Sequence, residues 1–251
     1  MKALRLDLFQ ETACYRKPFA IKISETYPLP PYSTINGLLH RILDAKEYIP
    51  MRISIQGDYE SLVNEYQTTY FYKKNTVTKM PMNQHLLLNV KLIVHINAED
   101  SVLDKLYDRI KNLDEFLSLG RREDLLRIDD VQFVELNEYE VGSDVEDDED
   151  DDIPKKENYY LKHSMYIPKI YDLEFDGISY RLNNYYKSTR DKWEKIDVKF
   201  IQKGANFDLY NILLDEKEDI VYIASEESAI RAMEPDAENI WAPAGGEPVI
   251  V

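Results

Sequence analysis

Leu88, Val90, Leu92, Val94 and Ile96 recur at every second position. That is the period of a β-pleat with one face in a core, and no other stretch of the chain shows it for so long. A strand this apolar on one face needs neighbours on both edges, so the run predicts a central strand, and the other elements are read around it. Leu4, Leu6 and Leu8 show the same alternation over Lys2 to Phe9. Met51, Ile53 and Ile55 repeat it, Tyr66 to Tyr72 is rich in aromatic residues and threonine, and Val131 to Leu136 supplies a further strand.

Two helices fall between these strands. Pro28-Leu29-Pro30-Pro31-Tyr32-Ser33 is a stiff approach ending in Ser33, a favourable N-cap. Ile35, Leu38, Leu39, Ile42 and Leu43 then lie at i, i+3, i+4, i+7 and i+8, one apolar helical face. A second helix is expected from Ser101, with Asp104 completing a variant capping box, and with Val102, Leu103, Leu106, Tyr107 and Ile110 on one face. The order strand, helix, strand, strand, helix, strand predicts an α+β fold, ferredoxin-like and so RRM-like, over residues 1–140. The polar stretch at about 73–87 reads as an insertion in the middle pairing with the reach of a β-hairpin, the element that the family resemblance given below implies as a thumb.

Between Asp144 and Asp152 eight of nine residues are acidic, half of the chain's net charge of −16. Such a run repels itself and resists burial, so residues 141–157 read as an acidic linker or loop. Residues 158–251 carry short, tyrosine-rich runs at Tyr159 to Ile167, Ile170 to Leu182, Val198 to Gln202 and Ile220 to Ile223. They predict a smaller β-rich C-terminal domain with Trp193 and Trp241 as packing anchors. The tail from Ala242 to Val251 should be irregular.

Several function classes find no support. The apolar runs Leu86 to Leu88 and Leu92 to Val94 are far shorter than the roughly 20 residues that cross a bilayer. Met1 to Phe9 lacks the layout of a signal peptide, which leaves the cytoplasm as the expected location. Cys14 is the only cysteine and can form neither an internal disulfide nor a multi-cysteine metal site. There is no Gly-rich phosphate loop, His-Glu-x-x-His or Gly-x-Ser-x-Gly, so no cofactor and no metal is expected.

Thr26-Tyr27-Pro28-Leu29-Pro30-Pro31-Tyr32-Ser33-Thr34-Ile35-Asn36-Gly37-Leu38-Leu39, after an N-terminal strand, resembles the opening of the fifth Cas family of CRISPR-associated proteins. Phe116-Leu117-Ser118-Leu119-Gly120-Arg121-Arg122-Glu123 is similar to that family's later Leu-Gly-Arg segment, and type I-B is the most similar variety. The resemblance covers about the first 140 residues. It implies a non-catalytic subunit of a Cascade effector complex that caps the 5′ handle of the guide RNA. Its neighbours would be the repeated backbone subunits and the large subunit, with target DNA near by and base pairing reading the sequence.

Three loop clusters, Arg16-Lys17, Lys73-Lys74 with Lys79, and Arg121-Arg122, supply phosphate-binding charge and could converge on one groove. Gln84 and His85 lie in the hairpin, where side chains could wedge between bases. Ser33, Thr34 and Asn36 lie at a helix N-terminus, which favours anions. Ordinary surface charge paired with Glu123 and Asp124, simple capping and a plain solvent hairpin remain the competing readings. Some family members cut repeat RNA with a Tyr, Lys and His constellation. Here His40, His85, His95 and His163 are the only imidazole side chains that such acid–base chemistry could use, and each reads more readily as structural. A protein-interaction module that ignores RNA is the alternative outside the family.

Overall fold

The long alternating run sits in a strand of 22 residues that crosses the middle of a sheet and leaves it again. In this computed structural model, residues 1–20, 23–141, 155–156, 158–169, 176–186, 193–207 and 210–224 are described. The principal elements of the first part are β1 (Lys2–Ala13), α1 (Tyr32–Leu43), β2 (Arg52–Asp58), β3 (Ser61–Lys73), β4 (Thr76–Asn97), α2 (Asp100–Lys111), β5 (Leu125–Glu135) and β6 (Asn137–Val141). Then come β7 (Ser164–Pro168), β8 (Ile178–Tyr186), β9 (Trp193–Ile201), β10 (Tyr210–Leu214) and β11 (Ile220–Ala224). The acidic run Asp144 to Asp152, Trp241 and the tail from Ala242 lie outside the described residues.

The main sheet runs β8-β9-β7-β2-β4-β1-β5, with every adjacent pair antiparallel. The expected α+β class is what forms. Leu4, Leu6 and Leu8 of β1 and Leu92, Val94 and Ile96 of β4 share a core with Ile35, Leu38, Leu39, Ile42 and Leu43 of α1 and Leu103, Leu106 and Ile110 of α2. Each such side chain contributes ~1.5–3 kcal/mol by leaving water. Among the described residues no helix is long and apolar enough to cross a membrane.

Residues beyond the acidic run enter the same sheet, because β7 pairs with β2 at Gln56 and Gly57. Parity then sorts their side chains. Tyr166, Leu182, Ile196, Val198 and Phe200 join the helix-side core. Met165, Ile167 and Ile201 point to the other face and build a second core with Val141, Tyr159, Leu161, Ile212 and Leu214.

The non-helical face of the central strands is polar yet buried. Arg5 of β1 is 4% exposed, and its guanidinium donates to Asp7 at 2.8 Å, to Asp219 at 2.6 Å and to Asp215. His95 of β4, fully buried, has its Nε2 at 3.0 Å from the same Asp215. Asp215 also accepts the N–H groups of Lys217 and Asp219. The turn between β10 and β11 is thereby pinned to the sheet. Burial pushes the Asp215 carboxyl up, but bonds from His95, the Asp219 N–H and Arg5 outweigh it and hold it well below the usual carboxylate range. Burial holds the His95 imidazole below its ordinary value despite Asp215.

Both helices start differently from the expectation. Pro31, extended at φ −61 and ψ 152, takes the cap position of α1 without a side-chain cap bond, and Ser33 falls inside the first turn. The Pro31 carbonyl accepts the Thr34 N–H at 2.9 Å, and Tyr32, buried against Tyr166, draws the first turn two residues earlier. Likewise α2 starts at Asp100 after Glu99 with no side-chain cap, and Asp104 faces Lys2 at 3.5 Å instead of closing a capping box.

The hairpin is also longer than expected. It begins at Ser61 and pairs β3 with β4 from Ser61↔Leu88 to Lys73↔Thr76, turning at Lys74 and Asn75. The segment 73–87 is only its tip and return arm, and Tyr66 to Tyr72 belongs to the outgoing arm. The reason is burial. With both faces in solvent, the arm carries no apolar-polar period for the sequence to display.

Candidate nucleic-acid interface

A thirteen-residue arm at about 3.3 Å per residue carries the hairpin roughly 40 Å along its length. The register sorts its side chains onto two faces. Tyr66, Tyr70 and Tyr72 share one with Val77, Lys79, Asn83 and His85. Phe71 shares the other with Thr78, Met80 and Met82. Tyr66 is 74% and Tyr72 80% exposed, far beyond what packing within this chain would leave. The Lys79 ammonium stands 5.3 Å from the centre of the Tyr70 ring, and Lys73 and Lys74 are exposed at the turn. Aromatic faces with interleaved cations are the surface on which bases stack without sequence preference. Sequence reading missed these tyrosines as a group, although positions 66, 70 and 72 share one parity.

Where the hairpin meets the sheet, β4 breaks at Asn89, which adopts φ +50. Its pairing with β3 ends at Leu88 and its pairing with β2 ends at Lys91, while its pairing with β1 runs on to Leu87, so β3 takes over the edge that β2 gives up. Cys14 lies at this base. Its Sγ is 3.8 Å from the Ser24 carbonyl, and Ser24 pairs with Gln84, itself buried. Burial pushes the Cys14 thiol up.

Arg16 and Lys17 follow Cys14. Arg16 is exposed and donates to the Ala20 carbonyl, while Lys17 donates to Glu25 at 2.6 Å. The Lys17 bond holds the Glu25 carboxyl below its ordinary value, with His85 adding to the effect. The Gly120 loop packs against the same place. Gly120 adopts φ +97, and a Cβ there would lie 3.0 Å from the Cys14 carbonyl oxygen. Arg121 does not face outward. Its Nε donates to both carboxylate oxygens of Asp124, a fully buried side chain, and its Nη1 lies 3.2 Å from Glu123. Asp124 also accepts the Cys14 N–H at 2.9 Å. The pairing with Glu123 and Asp124 is therefore the one that forms, and Arg121 shapes the loop while Arg122 is exposed.

The expected single groove is three places. Arg16, Lys17, Gln84, His85 and the Arg121 loop gather at the hairpin base, and Lys73, Lys74 and Lys79 lie along its outer length. Ser33 and Thr34, half-buried, stand at the start of α1. Asn36 beside them is buried and donates to the Asn184 carbonyl of β8 at 3.2 Å, so its amide tethers the helix.

The histidines divide similarly. His40 Nδ1 lies 2.7 Å from the Asn36 carbonyl, and its Nε2 accepts the Ile49 N–H at 2.9 Å. His163 contacts Asp58 at 2.8 Å, and His95 belongs to the Arg5 cluster. His85 is the one on the hairpin. Among the described residues no group of three or more His, Cys, Asp or Glu side chains could hold a metal ion.

The family model described as CRISPR-associated protein (Cas_Cas5) matches residues 3–194. Over 35 residues the chain is 57% identical to an uncharacterized protein of Archaeoglobus fulgidus, a stretch covering 14% of this chain and 9% of that protein. Its fold is similar to that of a chain described as a CRISPR RNA-guided surveillance complex, with a TM-score of 0.51 and 12% identity, covering 81% of this chain and 91% of the other. A CRISPR protein from Archaeoglobus fulgidus gives a TM-score of 0.48 at 10% identity over 90% of this chain and 100% of its own.

Proposed function

Because the chain belongs to the CRISPR-associated family described as Cas_Cas5, we propose that it is a non-catalytic subunit of a Cascade-type surveillance complex that holds the 5′ handle of the guide RNA. The observation that carries this reading is the hairpin, which presents three tyrosines, Lys73, Lys74 and Lys79 to solvent while its base gathers Arg16, Lys17, Gln84 and His85. In this reading β1, α1, β2, β4, α2 and β5 form a ferredoxin-like unit, supported by the strand order β2-β4-β1-β5, and the hairpin is its thumb. The β-rich second part would begin at residue 158, after the acidic segment that follows Val141.

The handle backbone would lie at the hairpin base, with bases against the tyrosine face. Backbone subunits and the large subunit would flank it in the cytoplasm, close to target DNA. The test is to co-express the chain with its genomic neighbours, purify through a tag on it and sequence the small RNA that follows. Repeat-derived RNA with one 5′ end is the expected result. Soluble neighbours without such RNA would remove the handle from the account.

A further inference from the structure

Gly37 sits in the middle of α1, where glycine is a poor helix former. A Cβ there would meet nothing within 4 Å among the described residues, so packing does not demand the missing side chain. The residue lines a cavity of about 630 Å³ between α1, the loop that follows it and the adjoining ends of β8 and β9. Clefts of that size take small ligands.

One wall of the cavity is aromatic. His40, Tyr48 and Tyr185 stack nearly flat, with ring centres 5.4 and 5.0 Å apart and planes inclined by 15° and 24°. In the core, by contrast, Tyr166 meets Tyr180 and Phe200 at 78° and 64°. Trp193, 38% exposed, lines the same cavity. Both His40 nitrogens are taken up, by the Asn36 carbonyl and the Ile49 N–H, so His40 offers only its ring.

The floor carries an acceptor without a donor. Asn36 is 5% exposed, and its Nδ2 donates to the Asn184 carbonyl at 3.2 Å. A carbonyl can only accept, so the Asn36 amide cannot be turned round. Its Oδ1 is buried with no hydrogen-bond partner among the described residues. An acceptor in that state favours a ligand that brings an N–H. At the rim stand Lys46, which is exposed, and Ser33, whose N–H lies in the first turn of α1 with no helical carbonyl before it to bond. Glu47 lines the cavity as well and offsets the Lys46 charge, so an anion is favoured at Lys46 and the helix start rather than by a general positive field.

We infer that this cavity binds a nucleotide, with the base extending the aromatic stack, an N–H of the base donating to Asn36 Oδ1, and the phosphate at Lys46 and the start of α1. The simplest such ligand is an adenine nucleotide, free or as an unpaired residue of an RNA. An indole shares the flat ring and the N–H but brings no anion. The inference rests on this cavity alone and stands whether or not the hairpin holds the handle.

The test is a fluorescence titration of the full chain carrying Trp241→Phe, which leaves Trp193 as its one tryptophan. Adenosine monophosphate is expected to quench the emission to saturation. Purine riboside monophosphate, which lacks only the amino group, should bind roughly 3–10-fold more weakly. Gly37→Leu, a better helix former whose side chain enters the cavity, should keep the thermal midpoint and abolish the quenching. An oligoadenylate RNA that binds more tightly than the mononucleotide assigns the site to an RNA residue, and equal or weaker binding assigns it to a free nucleotide. No quenching by either, equal affinity for the purine analogue, or quenching untouched by Gly37→Leu overturns the inference. So does tighter binding of N-acetyltryptophanamide, measured by calorimetry, which makes the cavity a socket for a partner's tryptophan. Should Gly37→Leu fail to fold, the comparison of the two mononucleotides on the parent chain decides alone. A parent chain that binds the nucleotide yet brings no guide RNA from its neighbours keeps this site and sinks the handle reading instead.

Discussion

The two halves of β4 share one continuous extended backbone and have opposite surroundings. From Lys91 to Ile96 the strand has β1 on one edge and β2 on the other, and Val90, Leu92, Val94 and Ile96 are at most 1% exposed. From Thr76 to Gln84 it is laddered to β3 just as regularly, but most of its side chains face solvent. Pairing satisfies both edges of the inner half, whereas up to Met82 the outer half is laddered on its β3 edge alone. Both differences, the open edge and the side chains left in water, separate the half that supplies stability from the half free to meet a ligand.

The sharpest way to break that comparison is a pair of truncations on the same strand. Leu92→Ala should cost about 2–5 kcal/mol, read from urea unfolding, because it opens a cavity in a packed core. Val77→Ala, at a side chain 52% exposed, should stay within about 0.5 kcal/mol. Comparable losses would mean that the hairpin packs against the body.

A second contrast uses acid. The buried half carries His95, whose folded value is held down, so below about pH 6.5 the unfolded chain takes up a proton that the folded chain refuses. Asp215, also held low, contributes stability above about pH 3.8, and this is lost as pH falls towards its own lower value. The urea midpoint should therefore decline from pH 7 downward in two stages, and His95→Gln should flatten the first. A midpoint insensitive to acid would mean that the Arg5 cluster does not hold the β10-β11 turn.

On the hairpin the expected effect falls on binding alone. Tyr66→Ala with Tyr70→Ala should leave the thermal midpoint in place and weaken handle RNA by about 1–3 kcal/mol per stacked base, measured by filter binding. Unaltered affinity would take the tyrosine face out of the interface. The smallest effect is expected at the junction. Asn89→Gly should be close to neutral, whereas Asn89→Ala should cost about 1 kcal/mol, because the residue holds φ +50. Equal costs would mean that the Asn89 side chain, which donates to Glu60, matters more than its backbone angle.

How much was legible follows the same division. In the first part of the chain, burial of one face showed as a period, as in Leu4, Leu6 and Leu8 or in the five apolar positions of α1, whereas β9 was read only from Val198 although it starts at Trp193. The hairpin bounds were misread because a strand exposed on both faces leaves no period. The caps were misread because Pro31 and the burial of Tyr32 decided the start of α1, and burial by a residue 134 positions later is not local information. Arg121 looked like a phosphate ligand because a Leu-Gly-Arg loop gives no sign of which acid it will bury. The Arg5 cluster was invisible for a related reason, since Arg5, His95 and Asp215 are far apart in the chain and meet only through the sheet.

The strands that close the helix-side core also set a timetable. Tyr32 and Leu29 wait for Tyr166, whose hydroxyl donates to the Leu29 carbonyl at 2.8 Å, and the edge of β2 waits for β7. Both partners leave the ribosome only after β6 and the acidic run. At ~5–20 residues per second, the nascent chain therefore carries an open sheet edge for on the order of ten seconds. Those are the seconds in which a slow ribosome, a missing chaperone or a premature stop would turn this protein into an aggregate.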